Sequence, residues 1–278
     1  MGDKKYSVLM SIYFKENPNY LRESIESMLQ QTLKPDEIII VKDGTLTPAL
    51  EQVLNEFANE PCLKIIPLSE NKGLGEALNI GMDYCKNEII ARMDTDDISK
   101  KDRCEKQFKL FEENELLSIV SSSIMEFEVD VDNVKAIKRL PLTHEQILKF
   151  AKKRNPFNHP AVMYKKSVVL QAGGYKHFEL FEDYYLWARI LMNNAIGANI
   201  DEPLLYMRAN RNMYKRRGGI SYFKCIIHFK WHLRKIGFYS FFDFLTSAFA
   251  QGAVAVLPNN IRMKIYKIFL RTDTKNNI

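Results

Sequence analysis

The sequence predicts an α/β fold in which a mostly parallel sheet is flanked by helices on both faces. Short β-branched runs alternate with segments of helical periodicity through the first half of the chain, and the runs are apolar throughout. Strands of a parallel sheet that is covered on both faces have this pattern. With 278 residues, of which 46% are hydrophobic and 27% charged, the chain has enough material for a full core. Wholesale disorder is therefore excluded.

The first half contains the clearest elements. Helical spacing links Leu21, Ile25 and Met28 between the first two predicted strands, and Leu74, Leu78 and Gly81 between the last two. The predicted strands are 7–14, 37–43, 63–68 and 88–94. Because strands alternate with helices here, a parallel sheet built from crossover units follows.

The order of elements is looser after residue 115. The sequence predicts a strand near 118–127, a helix near 144–153, a strand at 160–164 and helices at 165–171 and 183–192, with a break at Gly173 and Gly174 between the last two. No repeat or low-complexity linker interrupts this region. We therefore expect one domain over residues 1–207, with halves of about 1–100 and 101–207.

The remaining residues, 208–278, form a tail with a different charge. Residues 1–207 contain 26 Lys and Arg against 32 Asp and Glu, whereas the tail contains 14 against only Asp243 and Asp273, a net charge of +12. Such asymmetry suggests a nucleic-acid or anionic-membrane partner. The apolar and aromatic run at 238–257 fits a bilayer or a protein better than duplex phosphate, so no nucleic-acid partner is expected.

Beyond Pro258, cationic residues alternate with apolar ones in a pattern typical of a helix that lies in a membrane interface. The residues concerned are Ile261, Arg262, Lys264, Ile265, Lys267, Ile268, Phe269 and Arg271. Two alternatives remain open: an amphipathic helix that packs on the first domain, and a homodimer contact. The run at 238–257 is long enough to span a bilayer, but Asp243 and Gln251 make spanning the less favoured outcome.

Asp94, Asp96 and Asp97 follow the fourth predicted strand directly, and their mutual repulsion requires a neutralising partner. In open α/β sheets ligands bind beyond the carboxyl ends of the strands, and in extended backbone Asp94 and Asp96 share a face. Mg²⁺ and Mn²⁺ commonly take one or two carboxylates together with substrate phosphates. The alternative is that Asp97 or Ser99 caps a helix that begins near Lys101.

Several motifs occur in a fixed order: SIYF at 11–14, VKDGT at 41–45, NKGLGEALNIGM at 71–82, RMDTDD at 92–97 and FEDYYLW at 181–187. In this order and spacing they resemble a family 2 glycosyltransferase over roughly residues 5–210, similar to bacterial enzymes that extend O-antigen or exopolysaccharide repeat units. The resemblance implies the GT-A fold, a Rossmann-like sheet, followed here by a helical basic and aromatic extension. The QxxRW signature of processive polymerases is absent, which implies transfer of one sugar.

The resemblance also implies roles for residues that bind the nucleotide-sugar. Backbone groups at Ser11, Ile12 and Tyr13 would surround the uracil, and Asp43 would accept from its ring N–H; as a turn residue before Gly44, Asp43 has an equally good structural explanation. Lys72 would approach the nucleotide. Asp94 would lie near the ribose, and Asp96 would bind Mn²⁺ or Mg²⁺ that bridges the diphosphate.

Inverting transfer needs a base for the acceptor hydroxyl, and by resemblance Asp183 is that base, with Glu182 shaping the acceptor pocket. Taken alone, these acids at the start of a helix would more simply stabilise its dipole. His159 is assigned to the acceptor site, with a structural role as the alternative. Arg216 and Arg217 belong to YKRRGG (214–219), which fits either a loop that closes over the diphosphate or a hinge into the tail.

The implied partners are a UDP-sugar donor and a polyprenyl-diphosphate-linked sugar acceptor. The N-terminus lacks the residue order of a signal peptide, so we expect a cytoplasmic protein bound peripherally to the inner face of the bacterial plasma membrane. The alternative function is a non-enzymatic module that binds a nucleotide or nucleic acid with its basic tail.

Overall fold

A computed structural model of the protein describes residues 4–209, 218–257 and 261–262. The strands are β1 Ser7–Ile12, β2 Glu37–Lys42, β3 Leu63–Pro67, β4 Ile89–Arg92, β5 Ile98–Ser99, β6 Leu117–Phe127, β7 Ala136–Lys138, β8 Met163–Lys165 and β9 Ile196–Arg208. The helices are α1 Pro18–Leu29, α2 Pro48–Glu56, α3 Leu74–Tyr84, α4 Arg103–Glu113, α5 His144–Ala151, α6 Lys166–Gln171, α7 Glu182–Met192, α8 Gly219–Lys235 and α9 Phe241–Val256.

One nine-stranded sheet runs through the molecule in the order β3-β2-β1-β4-β8-β6-β9-β5, and β7 pairs with β6 beside this path. The neighbours from β3 to β4 are all parallel. The pairs β4–β8, β6–β8, β6–β7 and β5–β9 are antiparallel, and β6–β9 is parallel. The predicted α/β sheet is therefore confirmed, with the antiparallel pairs confined to its second half.

The four strands of the first half lie where the sequence predicts them. Each is a short β-branched or apolar run, and β1 and β2 are almost entirely buried because helices cover both faces. Helix α3 packs closely on this part of the sheet at Gly81. A Cβ at this position would lie 2.6 Å from side-chain atoms of both Leu9 and Val41, so the absence of a side chain permits the approach.

The second half differs from the prediction in three places, of which one is the short strand β7, Ala136–Lys138, which was not predicted. Residues His159–Ala161 form a 3-10 turn and the strand begins only at Met163, because Pro160 has no N–H to donate to a ladder. The 13-residue strand β9, Ile196–Arg208, was not predicted. It contains Asp201, Glu202 and Pro203 in its middle, and these residues interrupt the alternation by which a strand is recognised.

Two apolar layers lie on opposite faces of the sheet. One contains residues of α1, α2 and α4, and the other contains residues of α3, α5 and α7. Helix α8 of the predicted tail adds Phe229 and Leu233 to the second layer, so this part of the tail packs on the sheet domain. The boundary at residue 207 stays a prediction.

Within the part of the chain that the structure describes, every helix is too short or too polar to cross a bilayer. The amphipathic pattern that the sequence shows beyond Pro258 lies outside the described residues, apart from Ile261 and Arg262.

Candidate active site

Polar residues gather at the carboxyl ends of β1, β2 and β4, as the sheet topology predicts. β1 ends at Ile12, β2 at Lys42 and β4 at Arg92, and these three strands are parallel neighbours. Their carboxyl ends therefore bring together, at one edge of the sheet, the segment 11–14, Asp43 and the turn at 94–97. This edge is the candidate site.

The carboxylates of Asp94, Asp96 and Asp97 converge. One oxygen from each lies within 4.8 Å of those from the other two, and Asp97 is buried whereas Asp94 and Asp96 are half-buried. Asp94 also forms an ion pair with the buried guanidinium of Arg92. Among the described residues, Arg92 is the cation that forms an ion pair with these carboxylates, so the three acids outnumber it and the cluster keeps an excess of negative charge.

Burial and mutual repulsion raise the pKa values of this cluster. Burial, together with the charges of Asp94 and Glu16, raises the pKa of Asp96 to about 7. Burial, together with the charges of Asp96 and Asp94, raises the pKa of Asp97 well above its usual range. Near neutral pH the site therefore takes up either protons or a cation.

The turn that bears the cluster is held from several sides. Ser24 of α1 donates to the carbonyl of Asp94 (2.7 Å), and the Thr95 hydroxyl donates to Glu16 (3.2 Å). Arg208, at the end of β9, donates from Nε to the Asp96 carbonyl (3.0 Å) and from its backbone N–H to Asp97 Oδ1 (2.8 Å). The positions of the carboxylates are therefore fixed before any ligand binds.

Arg208 is itself fixed. Its Nη2 donates to Glu23 of α1 at 2.6 Å, and its guanidinium stacks over the rings of Tyr20 and Phe127 at 3.7 and 4.5 Å. The side chain of Arg208 is only 6% exposed, so these contacts restrict it to one arrangement. Arg208 thus connects β9 and α1 to the turn at 94–97.

The cluster fits a divalent cation. Its donors are carboxylate oxygens, which Mg²⁺ and Mn²⁺ prefer, and the buried Oδ2 of Asp97 has no hydrogen-bond partner among the described residues. The capping alternative is wrong: α4 begins at Arg103, Asp97 accepts from Arg208, and Ser99 belongs to β5. The cation itself remains a prediction, with Asp96 as its predicted ligand.

Asp43 organises the loop that leads into α3. Its Oδ1 accepts from the backbone N–H of Lys72 at 2.6 Å and its Oδ2 from that of Gly73 at 3.0 Å, and the side chain of Asn71 donates to its carbonyl at 3.2 Å. Gly44 has φ +83° and approaches the backbone of Asn71 so closely that a Cβ would lie 2.7 Å from its nitrogen. Asp43 therefore has a structural role in holding this loop. A contact with uracil stays a prediction, and it would use carboxylate lone pairs that the bonds to Lys72 and Gly73 leave available.

The second acidic motif lies at the start of α7. Asp183 Oδ2 accepts from Nδ2 of Asn155 at 2.6 Å, and its Oδ1 accepts from the backbone N–H of Tyr184 at 2.7 Å. Burial raises the pKa of the neighbouring Glu182. Leu180, just before the helix, has φ +68°, an uncommon conformation for a side-chain-bearing residue and one often found at functional sites. Dipole stabilisation and catalysis are both compatible with this placement.

Tyr175 lies near both acidic motifs, RMDTDD at 92–97 and FEDYYLW at 181–187. The side chain of Asn79 in α3 bonds both the N–H and the carbonyl of Tyr175 (2.7 and 2.8 Å), and the phenol of Tyr175 lies 2.9 Å from Nε2 of His159. A Cβ on Gly75 would lie 3.3 Å from Tyr175 Cβ and 3.9 Å from Glu182 Cγ. The N-terminus of α3 therefore has the Asp43 loop on one side and Glu182 on the other.

His159 lies between the two motifs. Burial and the nearby charge of Arg92 lower its pKa well below the usual range, so the ring is neutral at physiological pH. Its ring also packs edge-on against Trp187, with centroids 6.0 Å apart. These contacts fit the structural alternative, and an acceptor role stays a prediction.

The remaining predicted nucleotide contacts are placed in part. Ser11, Ile12 and Tyr13 lie at the end of β1, where the Ser11 carbonyl is 3.5 Å from the Thr95 hydroxyl, and Tyr13 is 41% exposed. Lys72 is exposed at the start of the α3 loop. Arg216 and Arg217 lie outside the described residues.

Sequence reasoning did not identify Glu16, Asn155, Tyr175 or Arg208 as site residues. Asn155 precedes Pro156 and Tyr175 follows two glycines, so each was visible only as part of a turn. Arg208 had no signal, because the strand that ends with it was not predicted. These contacts between distant segments become visible only in the folded chain.

Comparisons with known proteins identify the sequences and folds that this chain resembles. The family model described as Glycosyl transferase family 2 matches residues 7–171. A relative from Escherichia coli, described as UDP-Gal:alpha-D-GlcNAc-diphosphoundecaprenol beta-1,3-galactosyltransferase, is 38% identical over 96% of this chain and 97% of its own. The Amylovoran biosynthesis glycosyltransferase AmsE of Erwinia amylovora is 40% identical over 84% of this chain and 88% of its own.

A solved structure shows the same fold. The mannosyltransferase PcManGT from Pyrobaculum calidifontis, in complex with GDP-Man and Mn²⁺, has a TM-score of 0.64 and 17% identity, covering 93% of this chain and 72% of its own. At this identity the likeness concerns the fold alone. That fold binds a nucleotide-sugar together with a divalent cation in the archaeal protein.

Proposed function

Because the chain belongs to glycosyl transferase family 2, we propose that it transfers one hexose from a UDP-sugar to a lipid-diphosphate-linked saccharide. The product would be a repeat unit of a bacterial surface polysaccharide of the O-antigen type. The Escherichia coli relative, which matches 96% of this chain, is described by a UDP-Gal donor and a GlcNAc-diphosphoundecaprenol acceptor, and the amylovoran biosynthesis glycosyltransferase matches 84% of it. The chain is a glycosyltransferase, so the non-enzymatic alternative is set aside.

The observation that carries this proposal is the carboxylate cluster of Asp94, Asp96 and Asp97 at the carboxyl end of β4. Its excess charge suits a cation bound with a nucleoside diphosphate better than it suits a structural role. When bound, Mn²⁺ or Mg²⁺ would neutralise charge that develops on the leaving diphosphate, with Asp96 as its ligand and Asp94 near the ribose.

The donor nucleotide would lie along the edge formed by β1, β2 and the α3 loop. Backbone groups at Ser11, Ile12 and Tyr13 would surround the uracil, and Asp43 would accept from its ring N–H while it holds the α3 loop. Lys72, exposed on that loop, is available to the phosphates. Arg216 and Arg217 are proposed to close over the diphosphate.

Asp183 is the proposed base. Transfer with inversion forms a bond between the acceptor oxygen and the anomeric carbon and breaks the bond from that carbon to the UDP oxygen, which leaves with the electron pair. Asp183 takes the acceptor hydroxyl proton, held in orientation by Asn155 and the Tyr184 N–H. Glu182 and His159, of which the latter contacts the Tyr175 phenol, would shape the acceptor pocket.

A lipid-linked acceptor confines the reaction to a membrane surface. We therefore place the enzyme in the cytoplasm, bound peripherally to the inner leaflet of the bacterial plasma membrane. The positively charged tail supports this location, because each Lys or Arg near an anionic leaflet favours binding.

The test is direct. Purified protein is incubated with a panel of UDP-hexoses, Mn²⁺ and a synthetic lipid-diphosphate GlcNAc acceptor, and product mass and anomeric configuration are read by mass spectrometry and NMR. We expect one hexose added from one preferred donor, with an α-linked donor giving a β-linked product. An α-linked product would rule out single displacement, and no transfer from any UDP-hexose would overturn the proposed donor class.

A further inference from the structure

Helix α9 buries its small residues and exposes its large ones. Its exposed face, named here the outer face of α9, consists of Phe241, Phe242, Leu245, Thr246, Phe249, Ala250 and Ala253. Phe242 is 72% and Phe249 80% exposed. A surface helix of a globular protein normally has the reverse arrangement, as in α1, which buries Leu21, Ile25 and Met28.

The inner face of α9 is fixed against the catalytic domain by small and polar contacts. Gly252 lies so close to Phe223 of α8 that a Cβ would be 2.7 Å from the ring. Buried Lys230 of α8 donates to the Ser247 hydroxyl at 3.1 Å, and Gln251 donates to the carbonyl of Lys153 at 2.7 Å. The outer face therefore has a set orientation relative to the active site.

The outer face of α9 carries no charged side chain. The one acid in the helix, Asp243, is half-buried and belongs to a capping box: its Oδ2 accepts from the N–H of Ser240 at 2.9 Å, and its own N–H donates to the Ser240 hydroxyl at 3.0 Å. Its charge is thus directed to the start of the helix, where it is favourable.

Helix α8 extends this surface and supplies positive charge. At helical spacing, Ile220, Lys224, Trp231 and Lys235 share one exposed face of α8. The indole of Trp231 is 42% exposed and packs edge-on against Phe244 of α9, with ring centroids 5.3 Å apart. Trp231 therefore borders α9, and Lys224 and Lys235 lie on the same exposed face of α8 as Trp231.

We infer that the outer face of α9, with Trp231 and the exposed lysines of α8, docks onto an anionic membrane surface. Aromatic and aliphatic side chains that enter the headgroup region beside Lys and Trp residues are typical of interfacial helices. Charge complementarity favours an anionic bilayer over a second copy, because residues 208–278 have a net charge of +12 and a second copy would bring the same positive charge to the contact. The inference deepens the proposed function, in which the acceptor is lipid-linked.

Trp231 makes this surface testable without substrate. The protein contains two tryptophans, and Trp187 is fully buried, so a change of emission on adding vesicles reports on Trp231. The full-length protein is mixed with vesicles of phosphatidylcholine alone or with about a third phosphatidylglycerol. We expect co-sedimentation and a blue shift with the anionic vesicles, and quenching by lipids brominated near the headgroup.

A double variant, Phe242→Ser with Phe249→Ser, removes the two most exposed rings of α9 without touching its inner face. We expect its partition into anionic vesicles to fall at least about tenfold. The matched control is Leu116→Ser, which is 71% exposed in the turn before β6, outside this surface, and should bind vesicles like the unaltered protein. Circular dichroism checks that each variant remains folded.

Three results would overturn the inference. In one, the double variant binds vesicles as well as the control does. In another, light scattering shows a dimer that the double variant dissociates, with no vesicle binding by the unaltered protein, so that a second copy covers the face. In the third, truncation after residue 262 creates vesicle binding that the full chain lacks, which would assign the face to the chain's own last residues.

The vesicle assay contains neither donor nor acceptor, so it is separate from the test of the transferase reaction. If vesicle binding depends on Phe242 and Phe249 but no UDP-hexose is transferred, the docking surface stands and the proposed reaction fails. If a short soluble acceptor is glycosylated equally by both proteins while only the unaltered one binds vesicles, both proposals hold.

Discussion

The two acidic motifs of the site contain the same carboxylate chemistry in opposite surroundings. Asp94, Asp96 and Asp97 face one another, and burial, together with the charges of Asp94 and Glu16, raises the pKa of Asp96 to about 7. Asp183, in contrast, accepts hydrogen bonds from two neutral donors, Asn155 and the Tyr184 N–H. The first arrangement stores repulsion that a cation relieves, whereas the second holds a single carboxylate in a fixed direction.

This difference separates the two roles that the reaction needs. A cation site benefits from excess charge and rigid oxygens, and the turn at 94–97 has both because Arg208 and Ser24 hold its backbone. A base must keep a lone pair that points at the acceptor hydroxyl, which two hydrogen bonds can orient. An Asp→Asn substitution, which keeps the shape of the side chain, should therefore abolish Mn²⁺ binding in the first motif and lower turnover without loss of UDP binding in the second.

Asp96→Asn should cause the largest loss. The amide keeps the shape of the carboxylate but is a poor ligand for Mn²⁺, and removing metal-borne stabilisation should cost several kcal/mol of barrier, about 10³-fold or more in turnover. Calorimetry should show that Mn²⁺ binding is lost while circular dichroism is unchanged. Asp102→Asn, a nearby exposed acid paired with Lys106, is the matched control and should retain activity. Near-normal turnover of Asp96→Asn in Mn²⁺ would refute the metal role.

Asp183→Asn should lower turnover by about 10²–10⁴-fold, because the amide cannot accept the proton. Binding of UDP with Mn²⁺, measured by calorimetry, should stay within about twofold of the unaltered protein, since Asp183 is not part of the nucleotide edge. The exposed Glu179→Gln is the control on the same loop. If Asp183→Asn loses UDP affinity instead of turnover, the two motifs do not divide the work as proposed.

Arg208→Met should weaken Mn²⁺ binding by about 10-fold, in the range usual for partners that orient a metal ligand. The thioether keeps part of the packing against Tyr20 and Phe127 but loses the bond to the Asp96 carbonyl. Binding is measured on the protein without donor. Arg139→Met, which breaks an exposed ion pair with Asp201, is the control. An unchanged Mn²⁺ affinity with a lowered melting temperature would give Arg208 a purely structural role.

The sequence predicts the first half of the fold well because each strand there is a local, mostly apolar run. The carboxylates were found for the same reason: Asp94 and Asp96 directly follow such a run. The sequence does not predict β9 or its terminal Arg208. β9 pairs in parallel with β6, about 80 residues earlier in the chain, and the polar residues in its middle interrupt the alternation of apolar and polar side chains that marks a strand. No local pattern encodes such a partner.

The roles of side chains are harder to predict than their positions. Asp43 illustrates this, since its residue type and place after β2 fit both a uracil contact and a turn, and the structure shows the bonds to Lys72 and Gly73 that serve the turn. The inverted helix α9 is a second case. Its apolar run was visible in the sequence, but which of its residues face outward depends on the packing of Gly252 and Ser247 against α8.

The smallest expected effect is on stability, and it is tested at Asp96 of the first motif. An acid whose pKa is higher in the folded than in the unfolded chain binds more protons when folded, so stability falls as pH rises through that interval. For Asp96 the interval runs from about 4 to about 7. Lys230 acts in the opposite direction above this interval, because burial lowers its pKa to about 7 and folding stability then rises with pH.

The contribution of Lys230 is the same in Asp96→Asn and in the unaltered protein. It therefore cancels when the unfolding free energies of the two proteins are subtracted. Without metal, the two proteins should be equally stable near pH 4, where Asp96 is protonated and resembles the amide. By pH 8 the variant should be the more stable by up to about 4 kcal/mol, since the pKa of Asp96 is raised by about three units and each unit corresponds to about 1.4 kcal/mol. Saturating Mn²⁺ should reverse this order at pH 8, because the cation stabilises only the protein that binds it.

Denaturant unfolding at each pH measures the difference, and Asp183→Asn should show no comparable reversal with Mn²⁺. A difference that stays constant from pH 4 to 8 would mean that the cluster is not repulsive and that its carboxylates are neutralised by the protein alone.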